Sequence, residues 1–239
     1  MLSNLLGHLV DSCSLFEQHC QFCGQRPAPH GVCQCCLPAL PYQITARCPQ
    51  CHAQVNSGHA PCGDCQQLRP AFDRLLAAYD YDYPLDGLIA RCKYGPQPAL
   101  QGALAGLMRT LLQRHPALPV PDLIIPVPLA AARLAARGFN LPDALADALA
   151  VTMRAPLARD LCWRKRNTVP QAGLDRTERL ANLRDAFGVK HRCDGLFIAI
   201  VDDVASTGAT LHALSKTLKK AGAKRVEAWV LAKAHFRHT

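Results

Sequence analysis

Between Phe197 and Leu211 the chain reads Phe-Ile-Ala-Ile-Val-Asp-Asp-Val-Ala-Ser-Thr-Gly-Ala-Thr-Leu, and this stretch restricts the fold more than any other. Its first five residues are apolar without a break and include β-branched Ile198, Ile200 and Val201, which suits a parallel strand buried on both faces. A strand of that kind lies inside a sheet. The acidic pair Asp202 and Asp203 follows at once, then a short loop of small and hydroxyl residues running through Ala205, Ser206, Thr207, Gly208, Ala209 and Thr210. From Thr210 onward Leu211, Leu214, Leu218 and Ala221 recur at helical spacing, and Gly222 suits a C-terminal stop.

A strand–turn–helix unit aims backbone N–H groups and a helix N-terminus at an anion, while hydroxyls and a glycine allow a phosphate to come close. The stretch therefore reads as a phosphate cradle. It has neither the Gly-Lys-Ser/Thr end of a P-loop nor a Gly-x-Gly-x-x-Gly opening. Carboxylates beside a phosphate repel it unless they are aimed elsewhere, and the vicinal hydroxyls of a ribose would donate to them. The implied ligand is a ribose bearing a 5-phosphate. A lone Asp-Asp more often ends a strand and caps a turn; the attached hydroxyl loop and helix start favour the ligand reading.

With the acidic pair, Val204 and Ser-Thr-Gly-Ala-Thr in place, the stretch resembles the phosphoribosyl pyrophosphate (PRPP) motif of type I phosphoribosyltransferases, and within them the ComF competence-protein branch. The resemblance implies PRPP binding together with Mg²⁺, with Asp202 and Asp203 as the catalytic pair and residues 205–210 holding the 5-phosphate. It also implies a link to the uptake or use of DNA, with DNA-uptake machinery proteins as candidate partners.

The four Cys-x-x-C pairs at the front of the chain are the second constraint: Cys20/Cys23, Cys33/Cys36, Cys48/Cys51 and Cys62/Cys65, an internal duplication with a period of 28 to 29 residues. Thirteen cysteines in a cytosolic chain argue for metal rather than disulfides, and two such pairs complete the tetrahedral thiolate shell that Zn²⁺ prefers. Two structural zinc sites are expected. The expected pairing closes each half on itself as a double zinc ribbon; interleaved ligation fits the spacing as well, and Cys35 is an alternative beside Cys36. Cys13, Cys92, Cys162 and Cys193 read as small core residues or free thiols. A segment so poor in core residues needs its metal to fold. Its role is expected to be a scaffold or a lid over the substrate.

Charge divides the 239 residues the same way. The whole chain carries 27 Lys plus Arg against 18 Asp plus Glu, a net charge of +9. Residues 1–72 hold Arg26, Arg47 and Arg69 against Asp11, Glu17 and Asp64 and sum to zero. All the excess lies beyond them, which favours anionic ligands or partners there. Residues 1–17 place Leu2, Leu5, Leu6, Leu9 and Val10 on one stripe and read as an amphipathic helix, with Asn4, His8 and Asp11 breaking any signal-peptide core. No apolar run approaches the ~18 residues of a membrane span, so no membrane insertion and a cytoplasmic location are expected. The division expected is 1–17 helix, 18–70 double zinc ribbon and 71–239 phosphoribosyltransferase-like α/β domain, a parallel doubly wound sheet flanked by helices.

Within that domain, Leu75, Ala77, Tyr79, Tyr81 and Tyr83 alternate as in a strand covered on one face. A helix is expected from Pro84 to Lys93, another from Ala99 to Gln113, a buried strand from Asp122 ending at Pro126, and a helix from Pro142 to Met153. The segment Pro126, Val127, Pro128, Leu129 followed by Arg133, Arg137, Gly138, Phe139 and Asn140 is similar to ComF proteins, where the corresponding loop holds pyrophosphate. Arg133 and Arg137 are four apart and face the same way, so both could reach one diphosphate; two solvated arginines are the plainer alternative. Leu141 stands where the family commonly has Gln. Arg164 to Leu174 reads as a mobile basic loop, similar to the family pattern of Arg166, Thr168, Gln171 and Leu174 and continued by Arg179, Asn182 and Phe187 on a helix. In the wider superfamily such a loop folds over PRPP. Residues 130–192 hold twelve basic and six acidic side chains, with Trp163 and Phe139 among them. Single-stranded DNA is therefore a candidate partner of this surface, unless Trp163 is core and the charges serve pyrophosphate alone. A non-catalytic DNA factor with a relic pocket and a base-salvage transferase remain alternatives.

Overall fold

The computed structural model describes residues 19–28, 31–42, 44–93, 97–165 and 185–234. The expected N-terminal helix and most of the basic loop lie outside them, Arg166, Thr168, Gln171, Leu174, Arg179 and Asn182 included.

Strands β1 (Arg74–Asp80), β2 (Leu123–Pro126), β5 (Phe197–Ala205) and β6 (Arg225–Lys233) form a parallel sheet in the order β1-β6-β5-β2. The apolar run of β5 thus lies between two neighbours, as its composition requires. Short β3 (Cys162–Arg164) and β4 (Phe187–Val189) pair antiparallel as a separate ribbon.

Strand alternation divides the core in two. Ala199, Val201, Trp229 and Leu231 face one layer, packed by α2 (Leu85–Lys93), α3 (Pro98–Met108) and α6 (Leu141–Met153). Ile198, Ile200, Val226 and Ala228 face the other, covered by α7 (Ala209–Lys220) through Leu211, Leu214 and Leu218 and by Phe187. The helix expected over 99–113 is two helices, because the chain turns at Arg109 before α4 (Thr110–Arg114); the apolar stripe stays buried across the break.

Two expectations need correction. First, β1 is covered on both faces, not one: Leu76 and Ala78 enter one layer while Leu75 and Ala77 enter the other. Tyr81 and Tyr83 lie beyond the strand. Second, Phe187 opens β4 rather than continuing a helix, since pairing with Arg164 of β3 supplies its backbone bonds.

The cysteine-rich segment, including the short helix α1 (Gly63–Leu68), packs against this body. Its residues from Pro41 to Gln50 cover the free edge of β1, where the Leu75 N–H donates to the Gln50 carbonyl (2.7 Å) and the Asp80 N–H to the Pro41 carbonyl (2.8 Å). Capping an edge strand removes a template for unwanted pairing. Arg47 grips Asp80 with two bonds, Nη1–Oδ1 at 2.8 Å and Nη2–Oδ2 at 3.1 Å, and the Arg114 guanidinium stacks 3.3 Å over the Tyr42 ring. The first half reaches the core itself: Cys20, Ala28, Val32 and Leu40 are buried with the helices of the first layer. Gly31 (φ +78°) lies so close to α3 that a Cβ there would stand 2.2 Å from the Ala103 Cβ. Among the described residues no helix is long and apolar enough to cross a membrane.

Candidate functional site

The carboxyl end of β5 gathers the polar groups. The strand does not stop before the acidic pair: it stays paired with β6 through Ala205, so Asp202 and Asp203 are strand residues and successive side chains point to opposite faces. Asp203 turns toward α2, where the Lys93 Nζ lies 2.9 Å from its Oδ2. Burial disfavours the Lys93 ammonium, yet the charge and hydrogen bond of Asp203 raise it above the ordinary lysine range. Asp202 accepts the Asp203 N–H (2.9 Å). Burial and the neighbouring Asp203 push its carboxyl up to about 8 against the pull of Lys93 and Arg164.

Lys93 is therefore a direct partner of Asp203, a role sequence reasoning did not assign to it, and Arg164 acts on Asp202 through its charge. Burial pulls the Arg164 guanidinium down and Arg133 adds repulsion, while Asp202 opposes both. Arg133 and Arg137 are the half-buried cations of an otherwise exposed α5 (Ala131–Arg137). Arg137 bears on Cys92, beside Lys93, where burial pushes the thiol up to about 11. Arg133 acts on Arg164 and Arg137 on Cys92 through their charge. Pro126 pairs with Val201, and the Val127 N–H donates to the Val201 carbonyl (2.8 Å), so Pro126, Val127 and Pro128 leave the sheet next to Asp202. Asn140 fixes this turn through Nδ2 to the Val127 carbonyl (3.2 Å). Arg166 and Gln171 lie outside the described residues.

Beyond Ala205 the loop turns on Gly208, whose φ of +74° places it in the left-handed region at the N-cap of α7. The Thr207 Oγ1 accepts the Ala209 N–H (3.3 Å). Buried Lys233, the last residue of β6, donates to the Ser206 and Ala234 carbonyls, each at 2.7 Å, and pins the loop from below. With no acidic side chain in its first turn, α7 presents its N-terminal amides and positive dipole end to a recess of about 40 Å³ lined by Asp202, Val204 and residues 205–211. A wider cleft of about 560 Å³ adjoins the same loop and reaches to the second cysteine knuckle.

The cysteines form two separate groups, Cys20/Cys23/Cys33/Cys36 and Cys48/Cys51/Cys62/Cys65, each with sulfurs within 4.8 Å of one another. Each half closes on itself, and Cys36 rather than exposed Cys35 joins the first group. Metal–sulfur bonds of about 2.3 Å put tetrahedral sulfurs about 3.8 Å apart. The observed Cys23–Cys33, Cys48–Cys65 and Cys51–Cys62 distances are 3.9, 4.0 and 3.6 Å, so the donor sets fit such an ion. Backbone N–H groups of Cys33 and Cys62 point at the Cys20 and Cys48 sulfurs. A hydrogen bond from Cys65 and others from the backbone hold the Cys51 thiol near 5, and Cys20 sits at about 6 through backbone bonds that outweigh burial. Cys36, Cys62 and Cys65 move the other way: neighbouring thiols raise Cys36 and Cys65, and burial raises Cys62, so within each group a ready thiolate lies beside thiols that hold their protons. Cys92, Cys162 and Cys193 are buried apolar packing residues.

No protein-family model matches the chain. It is 34% identical over 206 residues to the DNA utilization protein YhgH of Salmonella typhi, covering 85% of this chain and 90% of that one. To Competence protein F of Haemophilus influenzae it is 32% identical over 216 residues, covering 87% and 92%. To Competence protein ComFC of Bacillus subtilis it is 29% identical over 201 residues, covering 80% and 79%. Likenesses among solved structures are partial. They include a glutamine PRPP amidotransferase from B. subtilis complexed with ADP and GMP, at TM-score 0.39 and 18% identity over 55% of this chain and 26% of that one. Another is a purine phosphoribosyltransferase from Pyrococcus horikoshii, at TM-score 0.31 and 21% identity over 66% and 76%. Overlaps of this size assign no residue roles.

Proposed function

The chain belongs to the ComF family of competence and DNA-utilisation proteins, and from that premise we propose that it is a phosphoribosyltransferase-like protein that binds PRPP with Mg²⁺. The single observation that carries this reading is the end of β5, where an acidic pair runs into a left-handed glycine and the N-terminal amides of α7. The recess there takes the 5-phosphate, and Asp202 and Asp203 take the ribose side. Arg133 and Arg137, beside the turn at Pro126, hold the diphosphate, with Arg166 and Gln171 completing the site from the loop.

In the transfer, the lone pair of a ring nitrogen forms the C1–N bond as the C1–O bond breaks. The diphosphate leaves with the electron pair of the C1–O bond, and the nitrogen's proton passes to solvent. Charge develops positively on the ribose and negatively on the diphosphate, and in this reading the carboxylates stabilise the first and the arginines the second. Bound Mg²⁺ would neutralise the departing diphosphate. Titration with PRPP and Mg²⁺, followed by a screen for diphosphate release with candidate bases, tests the reading; absence of PRPP binding would overturn it. Each cysteine group holds a structural Zn²⁺ in this reading, in a cytoplasm that keeps thiols reduced.

One observation favours a second activity. Trp163 is not core but 42% exposed, on β3 beside Arg164 and Lys165. A base of single-stranded DNA could stack on it while the basic side chains follow the phosphates. If that surface is shared, DNA binding falls steeply with salt and is displaced by PRPP with Mg²⁺. Replacing Arg164, Lys165 and Arg166 with Ala should then flatten the salt slope by up to about two units, since each lost contact removes at most ~0.7. An unchanged slope would remove this surface from DNA binding.

A further inference from the structure

Lys93 is the last residue of α2, and its ammonium lies 2.9 Å from the Asp203 Oδ2 near the end of β5. The C-terminal end of a helix favours a cation, so the end of α2 is a natural place for this charge. The Cys92 thiol next to it, pushed up mainly by burial, is raised further by Asp203 and lowered by Lys93 and Arg137. Arg137, proposed above to hold the diphosphate, therefore shares one neighbourhood with the ion pair. The side chains of Lys93 and Asp203 are 26% and 14% exposed, so the pair is neither sealed in the core nor free in solvent. A ligand entering at this edge of the sheet can reach both.

Partial burial makes the pair a constraint on what else can bind. A cation that takes Asp203 by itself leaves the Lys93 ammonium partly buried and unpaired, and an anion that draws Lys93 away by itself leaves the Asp203 carboxylate uncompensated. A ligand that brings both charges has neither cost. Its cation takes the carboxylate while its anion takes the ammonium. A divalent ion on a diphosphate is such a ligand, because carboxylate oxygens suit a hard cation such as Mg²⁺, and a compact ammonium on a flexible stem suits a phosphate.

We propose that Lys93 exchanges partners on binding: it holds Asp203 in the free protein and passes to the diphosphate when Mg²⁺ takes its place, so the site accepts the metal–diphosphate pair in preference to either ion alone. The inference rests on the PRPP reading of this site. It adds to that reading one binding residue and a selectivity for the metal-bound form of the ligand.

The test uses the full-length, zinc-loaded protein and its Lys93→Met variant, in which an apolar stem of similar length keeps the packing. Each is titrated calorimetrically with Mg²⁺ alone, with inorganic diphosphate in excess Mg²⁺, and with PRPP in excess Mg²⁺. Association of Mg²⁺ with diphosphate in solution is common to both proteins and cancels in the comparison. Lys93→Met should bind Mg²⁺ alone about threefold or more tightly, because Asp203 is released. It should bind diphosphate with Mg²⁺ about tenfold or more weakly, because a charge-assisted contact is gone. The opposite signs identify the exchange: a purely structural ion pair would weaken both, and a lysine that stays on Asp203 in the complex would leave the second unchanged. No gain in the first titration, or no loss in the second, overturns the exchange, and PRPP binding by the wild type then leaves the reading of the site standing. Absence of PRPP binding to the wild type overturns that reading and the exchange with it. If Lys93→Met does not fold, Lys93→Gln replaces it with the same expected signs. In an Asp203→Asn background Lys93→Met should no longer tighten Mg²⁺ binding, and persistence of the gain there would overturn Asp203 as the partner that Lys93 gives up.

Discussion

Asp202 and Asp203 are adjacent in sequence, yet strand alternation gives them different partners and different acidities. Asp203 is committed to Lys93, whereas Asp202 holds its proton to about 8. In the unfolded chain Asp202 ionises in the ordinary carboxylate range, so it opposes folding increasingly as pH rises from there toward 8, and fully above it. Asp202→Asn should therefore leave stability unchanged in acid and raise it at pH 9, as melting curves across that range would show. Ligand binding runs the other way, because a cation needs the carboxylate. PRPP with Mg²⁺ should bind the wild type more tightly at pH 8.5 than at pH 6.5, while Asp202→Asn binds weakly at both; calorimetric titration at the two values checks this. Asp203→Asn should weaken PRPP binding by about 1–3 kcal/mol, the usual effect of losing a charge-assisted bond or leaving its partner unpaired. Equal thermal shifts by PRPP in wild type and this variant would count against the assigned site.

At the scale of elements, two glycines do different work. Gly208 must be left-handed for β5 to turn into α7, but a Cβ there meets only the Phe72 ring, at 3.7 Å. Gly208→Ala should thus cost the backbone strain alone, about 1–2 kcal/mol. Gly31→Ala adds overlap with Ala103 to a similar strain, so it should cost clearly more and separate the first knuckle from α3. Urea unfolding of the two variants side by side measures the difference, and equal losses would show that the Gly31–α3 contact is not tight in solution. Most elements were legible from the sequence because their apolar periods are strong: β5, α2, α6 and α7 lie within a few residues of expectation. Phe187 was not, because its strand depends on pairing with β3 across more than twenty intervening residues and has no period of its own.

For the whole molecule, the join between the cysteine-rich segment and the sheet runs through buried Arg47 and Asp80. Removing one partner strands the other charge away from water, so Asp80→Ala should destabilise by about 3–5 kcal/mol, whereas replacing both with Met and Leu should cost much less. Chemical denaturation of the single and double variants gives the coupling. The same join ties metal to ligand binding. Zinc-loaded protein should carry two ions per chain by elemental analysis, and chelation should lower the melting temperature and abolish any stabilisation by PRPP, because the cover of β1 is lost with the knuckles. Metal-free protein purified under reducing, chelator-free conditions would sink the zinc assignment.

Local spacing was enough for the strand–loop–helix unit at 197–211, the parallel α/β class and the four Cys-x-x-Cys pairs, because each rests on an apolar run, a helical period, or thiols three residues apart. The folded molecule alone settled which cysteines close on which, that β1 is buried on both faces, and that Lys93 meets Asp203. These are contacts between segments far apart in the chain. Asp203 and Lys93 are more than a hundred residues apart, and no local pattern records that the end of α2 and the end of β5 reach the same edge of the sheet. The burial that sets the acidity of Asp202 is likewise assembled from several elements at once, so it exists only in the folded molecule.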